Sequence, residues 1–97
     1  MVVLLTHQGK TAPMQTDKEA DPEVQRGIAD DYQLAGAIQG VDLIVSGHSD
    51  NGLWQPVIHP DTGTVIVQTF GQGKQLGIAR FELSSSARPK LVSAELV

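Results

Sequence analysis

Two short apolar runs, each followed at once by a histidine, constrain this chain more than any other feature. Residues 2–5 read VVLL before Thr6 and His7, and residues 41–45 read VDLIV before Ser46, Gly47 and His48. Near-continuous apolar runs of this length are typical of strands that are covered on both faces. We therefore predict strands over residues 2–6 and 41–46, with a histidine just past the C-terminal end of each.

The segment between the two runs predicts a helix. Asp21, Pro22 and Glu23 form a helix start, with an N-cap, a proline at the first helical position and an acid in the first turn. Gly27 indicates a break with a restart at Asp30. Apolar residues recur at spacings of three and four, at Val24, Ile28, Tyr32, Ala35 and Ile38. Strand, helix and strand in this order form a right-handed βαβ unit with parallel strands.

Four more strands are predicted after residue 50, over residues 56–59, 64–70, 77–83 and 91–97. The turn sequence at 60–63 joins the first two as a hairpin, with 64–70 as a half-buried antiparallel strand. Residues 71–74 (GQGK) lack the full phosphate-loop pattern, so we predict a turn there. The expected fold class is therefore α/β, with one βαβ unit followed by antiparallel strands in a single domain, residues 1–97. One helix cannot cover both faces of such a sheet, which leads us to expect further sequence upstream.

Composition excludes several classes of function. The net charge of -4 and the scattered basic residues argue against nucleic-acid binding, which needs clustered Lys and Arg. The absence of cysteine excludes disulfides and thiolate metal sites. No apolar stretch reaches the ~18 residues of a membrane span, and residues 1–5 do not read as a signal peptide. Imidazole and carboxylate groups therefore remain as candidate metal ligands.

His7, His48 and Asp50 are the candidate metal ligands. Ligands bind in α/β sheets at the C-terminal ends of the strands, and neighbouring strands lie only ~4.8 Å apart. Both imidazoles are therefore expected to reach one cation, and zinc, manganese or iron suits histidine with carboxylate. Asp50 could reach a second ion ~3.5–4 Å from the first. Asp50-Asn51-Gly52 is also a good turn sequence, so the residues alone leave both roles open for Asp50.

Structural roles are predicted for the remaining polar residues. His59 precedes a turn and is expected to be exposed, while Asp30-Asp31 is expected to be a solvated pair at a helix start. The hydroxyls of Thr6 and Ser46 are expected to bond to backbone. Trp54 either packs beneath the histidine loop or lines a cleft.

Three blocks together resemble the calcineurin-like metallophosphoesterases, in particular the 5'-nucleotidase / UDP-sugar hydrolase / 2',3'-cyclic phosphodiesterase family. They are residues 3–9 (VLLTHQG), 40–50 (GVDLIVSGHSD) and 64–77 (TVIVQTFGQGKQLG). The resemblance implies an α/β/β/α sandwich with two divalent metal ions, of which residues 1–97 are the C-terminal part of the catalytic domain. His7 and His48 match two histidines that bind one metal. Asp50 falls where the family usually has the His or Gln that binds the other.

The resemblance also implies an activity and its limits. The expected function is metal-dependent hydrolysis of a small phosphoester, a nucleotide by resemblance, in the periplasm or at the cell surface. The family's Asp-x-His, bridging Asp and Gly-Asn-His-Asp/Glu blocks do not occur in these residues. They carry the other ligands and the histidine that assists the leaving group, so we assign no catalytic residue and expect no turnover from this chain alone. Two alternatives remain: a non-catalytic interaction module of the same fold, and a related hydrolase of thiosulfate-type esters.

Overall fold

A computed structural model of the chain describes residues 1–8, 28–50 and 52–97. The elements in these residues are β1 (Val3–Leu5), α1 (Ala29–Ala37), β2 (Leu43–Ser46), β3 (Val57–Ile58), β4 (Val65–Gln68), β5 (Gly77–Glu82) and β6 (Lys90–Leu96). The α/β class is confirmed. Each predicted strand is present, with ends that differ by at most two residues from the prediction.

The first sheet has four strands in the order β1-β2-β4-β3. β1 and β2 are parallel, with Val3 opposite Leu43, which confirms the predicted parallel pair. β3 and β4 form the predicted antiparallel hairpin. The prediction that only antiparallel strands follow the βαβ unit is wrong, because β4 also pairs with β2 in parallel. β4 is an internal strand whose Val65 and Ile66 are buried, and its apolar run suits a parallel neighbour as well as an antiparallel one.

The second sheet is the antiparallel hairpin of β5 and β6. Arg88, in the connection between them, ties the hairpin to the first sheet. Its guanidinium donates to the carbonyl oxygens of Val41, at 3.1 Å, and Thr62, and lies 3.3 Å from a carboxylate oxygen of Asp42. These acceptors precede β2 and β4, so the anchor lies at the N-terminal edge of the parallel strands.

The core lies between α1 and one face of the first sheet. Ala35 of the helix packs against Val41, Ile44 and Ile66, with Leu4 at the margin. Leu4, Ile44 and Ile66 stand in register on adjacent strands, so the alternation of strand side chains places them on the same face.

The other face of β1 is open among the described residues, where Val3 is 48% and Leu5 75% exposed. This open face agrees with the expectation that one helix cannot cover both faces of the sheet. β2 and β4 are better covered among the described residues, because most of their residues are buried.

α1 begins at Ala29, in agreement with the predicted restart at Asp30. The predicted helix start at Asp21 lies outside the described residues. The face turned to the sheet differs from the predicted apolar stripe: Ile28, Asp31 and Ala35 are buried, whereas Tyr32 is 38% exposed. No helix in the described residues is long and apolar enough to cross a membrane.

Candidate metal-binding site

The two strand-end histidines lie side by side. The pairing of β1 with β2 continues beyond the strand ends, because the Thr6 amide donates to the Val45 carbonyl at 3.0 Å and Gln8 forms a parallel bridge with His48. Nε2 of His7 lies 3.2 Å from Nδ1 of His48, and the rings meet edge to face with centroids 4.9 Å apart. The structure thus brings together two of the three candidate ligands that the sequence singled out.

The spacing of the two ring nitrogens fits two ligands of one cation. The two nitrogens are 3.2 Å apart. If a metal lay at the usual zinc–nitrogen distance of ~2.0–2.1 Å from both, the N–metal–N angle would be about 100°. That angle lies between the octahedral and tetrahedral values. Both imidazoles are exposed, so an ion would reach them from solvent.

The backbone around His48 is strained and closely packed. His48 has φ 78° and Asp50 has φ 61°, the left-handed region that non-glycine residues seldom adopt. A Cβ placed on Gly47 would come within 3.3 Å of His7 Nδ1, so glycine at this position allows the His7 ring to lie against the loop. Strained residues of this kind cluster at functional sites.

Asp50 does not join the histidines in a larger ligand group. Its carboxylate packs against Gly71, where an added Cβ would come within 2.6 Å of Oδ1, and the Gly71 amide donates to its carbonyl at 3.3 Å. Residues 1–8, 28–50 and 52–97 contain no cluster of three or more His, Asp or Glu side chains suited to hold a metal. Ligation by Asp50 therefore stays a prediction.

A buried carboxylate lies next to the ends of the two strands that precede the histidines. Asp31 is 0% exposed, and its two oxygens accept hydrogen bonds from Gln8 Nε2, at 2.8 Å, and from Ser46 Oγ. Two predictions are corrected here: Asp31 is not solvated, and the Ser46 hydroxyl bonds to a side chain rather than to backbone. The helix register directs Asp31 at the strand ends, where the buried donor of Ser46 needs an acceptor. In the sequence, the spacing of Asp31 from Ile28 and Ala35 is compatible with the buried face of the helix.

The residue after His48 is held in a similar way. Ser49 is completely buried and accepts a hydrogen bond from Nε2 of Gln68, the last residue of β4. Asp31, Ser46, Ser49 and Gln68 are all buried, and Ser46 and Gln68 pair in register on neighbouring strands. The hydroxyl of Thr6 is buried with no hydrogen-bond partner among the described residues, so the predicted bond to backbone is not found there.

The third histidine is part of the packing and not of the site. The prediction that His59 is exposed is wrong, because it is only 7% exposed. Its ring lies 4.7 Å from that of Tyr32 and covers Gly36, where a Cβ would come within 2.7 Å of its Nε2. Its Nδ1 accepts a hydrogen bond from the Asp61 amide at 3.2 Å. The missing side chain of Gly36 provides the space that buries this ring.

Trp54 lines a cleft, one of its two predicted positions. Its ring is tilted by 56° against that of Phe70, with the centroids 5.4 Å apart. It borders a groove of about 450 Å³ between the two sheets, with Val67 and Leu96 on its walls. Residues 71–74 form the predicted turn. The chain matches no family model, no curated protein and no solved structure.

Proposed function

We propose that this chain forms part of the two-metal site of a phosphoester hydrolase of the 5'-nucleotidase type. The observation that carries the proposal is the 3.2 Å separation of His7 Nε2 and His48 Nδ1 at the C-terminal ends of neighbouring parallel strands. This is the edge where α/β sheets bind ligands. The likeness of the blocks around both histidines to metallophosphoesterase motifs supports the same assignment.

In this proposal His7 and His48 hold one divalent ion and Asp50 approaches the other. Two bound metal ions would supply an activated water or hydroxide and neutralise the charge on the phosphoryl oxygens. The chain's own contribution is positional: Gly47 makes room for the His7 ring, and the exposed imidazoles leave the site open to a phosphoester. The nucleotide substrate and a periplasmic or cell-surface location are part of the proposal through the resemblance.

These residues supply only part of the ligand set under this proposal. The sequence contains neither Asp-x-His nor Gly-Asn-His, which carry the remaining family ligands. We therefore expect zinc binding without turnover from this chain. Substantial hydrolysis of a 5'-nucleotide or of bis(p-nitrophenyl) phosphate by the purified chain would contradict the partial-site assignment.

Calorimetric titration with Zn²⁺ tests the metal assignment directly. His7→Ala and His48→Ala should each abolish the binding seen with the unmodified chain, because each removes one of two ligands. His59→Asn is the matched control, since it removes a histidine away from the site and keeps an acceptor for the Asp61 amide. Equal zinc binding by His48→Ala and the unmodified chain would show that the histidine pair is not the site.

A non-catalytic module of the same fold is the second candidate, and the position of Asp50 favours it. The family usually has His or Gln there, whereas this carboxylate packs against Gly71. Metal content of the protein in its natural full length separates the candidates. Two metal ions per chain with hydrolysis support the enzyme, while one or none without hydrolysis supports the module.

A further inference from the structure

We propose that Asp31 is a positioning residue for the histidine pair. Its carboxylate joins α1 to the ends of both histidine-bearing strands and so fixes the separation of His7 and His48. The consequence for metal affinity rests on the proposed function. The effect of Asp31 on the positions of the two imidazole rings is independent of that function.

The position of Asp31 is unusual for an acidic residue. The carboxylate is fully buried on a helix face that otherwise packs Ile28 and Ala35. Gln8 and Ser46, its hydrogen-bond donors among the described residues, are both neutral. The two ion pairs found in the described part of the chain, Arg80–Glu95 and Arg88–Asp42, do not include it. Because burial of a charged group is unfavourable, an apolar residue would suit this face better if packing were the only requirement.

The two donors connect Asp31 to the histidines through very short stretches of chain. Gln8 directly follows His7, and Ser46 stands two residues before His48. The regular pairing of β1 with β2 ends at Leu5 and Val45, and beyond it the strand ends are joined only by the Thr6–Val45 hydrogen bond and the bridge of Gln8 with His48 among the described residues. Both donors to Asp31 lie in this region. Because the two oxygens of a carboxylate have a fixed separation, Asp31 adds a rigid side-chain link between the strand ends at the point where the imidazoles meet.

A structural hydrogen bond elsewhere in the sheet gives the contrast that a test needs. Thr64 is also fully buried, and its hydroxyl donates to the Val41 carbonyl at 2.8 Å. This bond lies at the N-terminal edge of the parallel strands, opposite the histidines. Thr64→Val keeps the shape and removes a buried hydrogen bond, so it should lower stability without moving the histidine pair.

The test compares Asp31→Ala, Asp31→Asn and Thr64→Val in the whole chain by three measurements. These are thermal unfolding, the imidazole ¹H–¹⁵N signals of His7 and His48 without metal, and calorimetric affinity for Zn²⁺ alone. Asp31→Ala should shift both imidazole signals and weaken zinc binding about 10–100-fold, the usual effect of removing a group that orients metal ligands. Asp31→Asn should lose less zinc affinity than Asp31→Ala, because the asparagine amide can still accept a hydrogen bond from Gln8 and donate one to Ser46. Thr64→Val should leave the signals and the zinc affinity unchanged.

Several outcomes would overturn the proposal. Unchanged imidazole signals and zinc affinity in Asp31→Ala would do so, as would equal shifts in Thr64→Val, which would indicate general loosening. If Asp31→Ala does not fold, Gln8→Ala breaks one link at a half-exposed residue, and unchanged signals there would refute the role. If the unmodified chain binds no zinc while Asp31→Ala still shifts both signals, the proposed function fails and the positioning role stands.

Discussion

Replacing His48 with glycine should leave the fold as stable as before, or more stable, while it removes metal binding. His48 has φ 78°, a conformation that costs an L-residue about 1–2 kcal/mol and glycine almost nothing. Against this gain, glycine loses more backbone entropy on folding, which costs about 0.5–1 kcal/mol. The His48 side chain is exposed, so little buried surface is lost. The expected net effect lies between no change and about 1.5 kcal/mol of added stability.

Thermal unfolding with and without Zn²⁺ measures both parts of this prediction. For a domain of 60–100 residues, 1 kcal/mol changes Tm by about 4–8 °C, so without metal the His48→Gly chain should melt at the same temperature or several degrees higher. Zinc at about 100 times its Kd would add about 2.7 kcal/mol to a chain that binds it. That increase should appear in the unmodified chain and be absent from His48→Gly.

Gln72→Gly is the matched control, because Gln72 is also exposed and has φ 67° in the connection after β4. It should show the same gain in Tm and keep the zinc-dependent increase. If His48→Gly instead loses more than about 1 kcal/mol while Gln72→Gly gains, the His48 ring stabilises the fold. The view that the loop accepts backbone strain in order to present a ligand would then be wrong.

Three further substitutions test individual contacts. Gly47→Ala places a Cβ 3.3 Å from His7 Nδ1, so it should shift the His7 imidazole signal and weaken zinc binding with little change in Tm. Gly71→Ala would bring a Cβ within 2.5 Å of the Asp50 carboxylate and displace it. Zinc affinity should then be unchanged if the histidine pair alone binds the first ion, as calorimetry would show. Arg88→Met removes the hydrogen bonds that anchor the second hairpin and should lower stability in urea unfolding by about 1–3 kcal/mol, with zinc binding retained.

The strands were predictable because their signals are local. Apolar runs and turn sequences fixed the six strands to within one or two residues, and the matching positions of His7 and His48 pointed to one edge of the sheet. The direction of β4 was not predictable in the same way. The alternation and the apolar content of a strand do not depend on whether its neighbour is parallel or antiparallel. β4 is parallel only with respect to β2, and the sequence does not indicate that pairing.

The buried roles of Asp31 and His59 depend on residues distant in sequence. An acid in the first turn of a helix normally faces solvent, but Asp31 finds donors in Gln8 and Ser46, which are 23 and 15 residues away. His59 is buried because Gly36, on the helix, leaves a space for its ring. The spacing of Asp31 from Ile28 and Ala35 is compatible with the buried face of the helix, but local patterns do not report the distant partners, so the sequence alone predicts both residues in solvent.

The two edges of the parallel strands differ in a way that packing alone does not explain. At the N-terminal edge, the hydroxyls of Thr62 and Thr64 donate hydrogen bonds to backbone carbonyls at 2.9 and 2.8 Å, and each bond stabilises the fold. At the C-terminal edge, His48 and Asp50 adopt left-handed conformations. These conformations oppose stability, and they lie in the loop that carries the exposed imidazole of His48, whose removal should cost the fold little. Structural features that oppose stability concentrate at functional sites. We therefore infer that the C-terminal edge is built to present the histidine pair to a ligand, and His48→Gly tests that inference most directly.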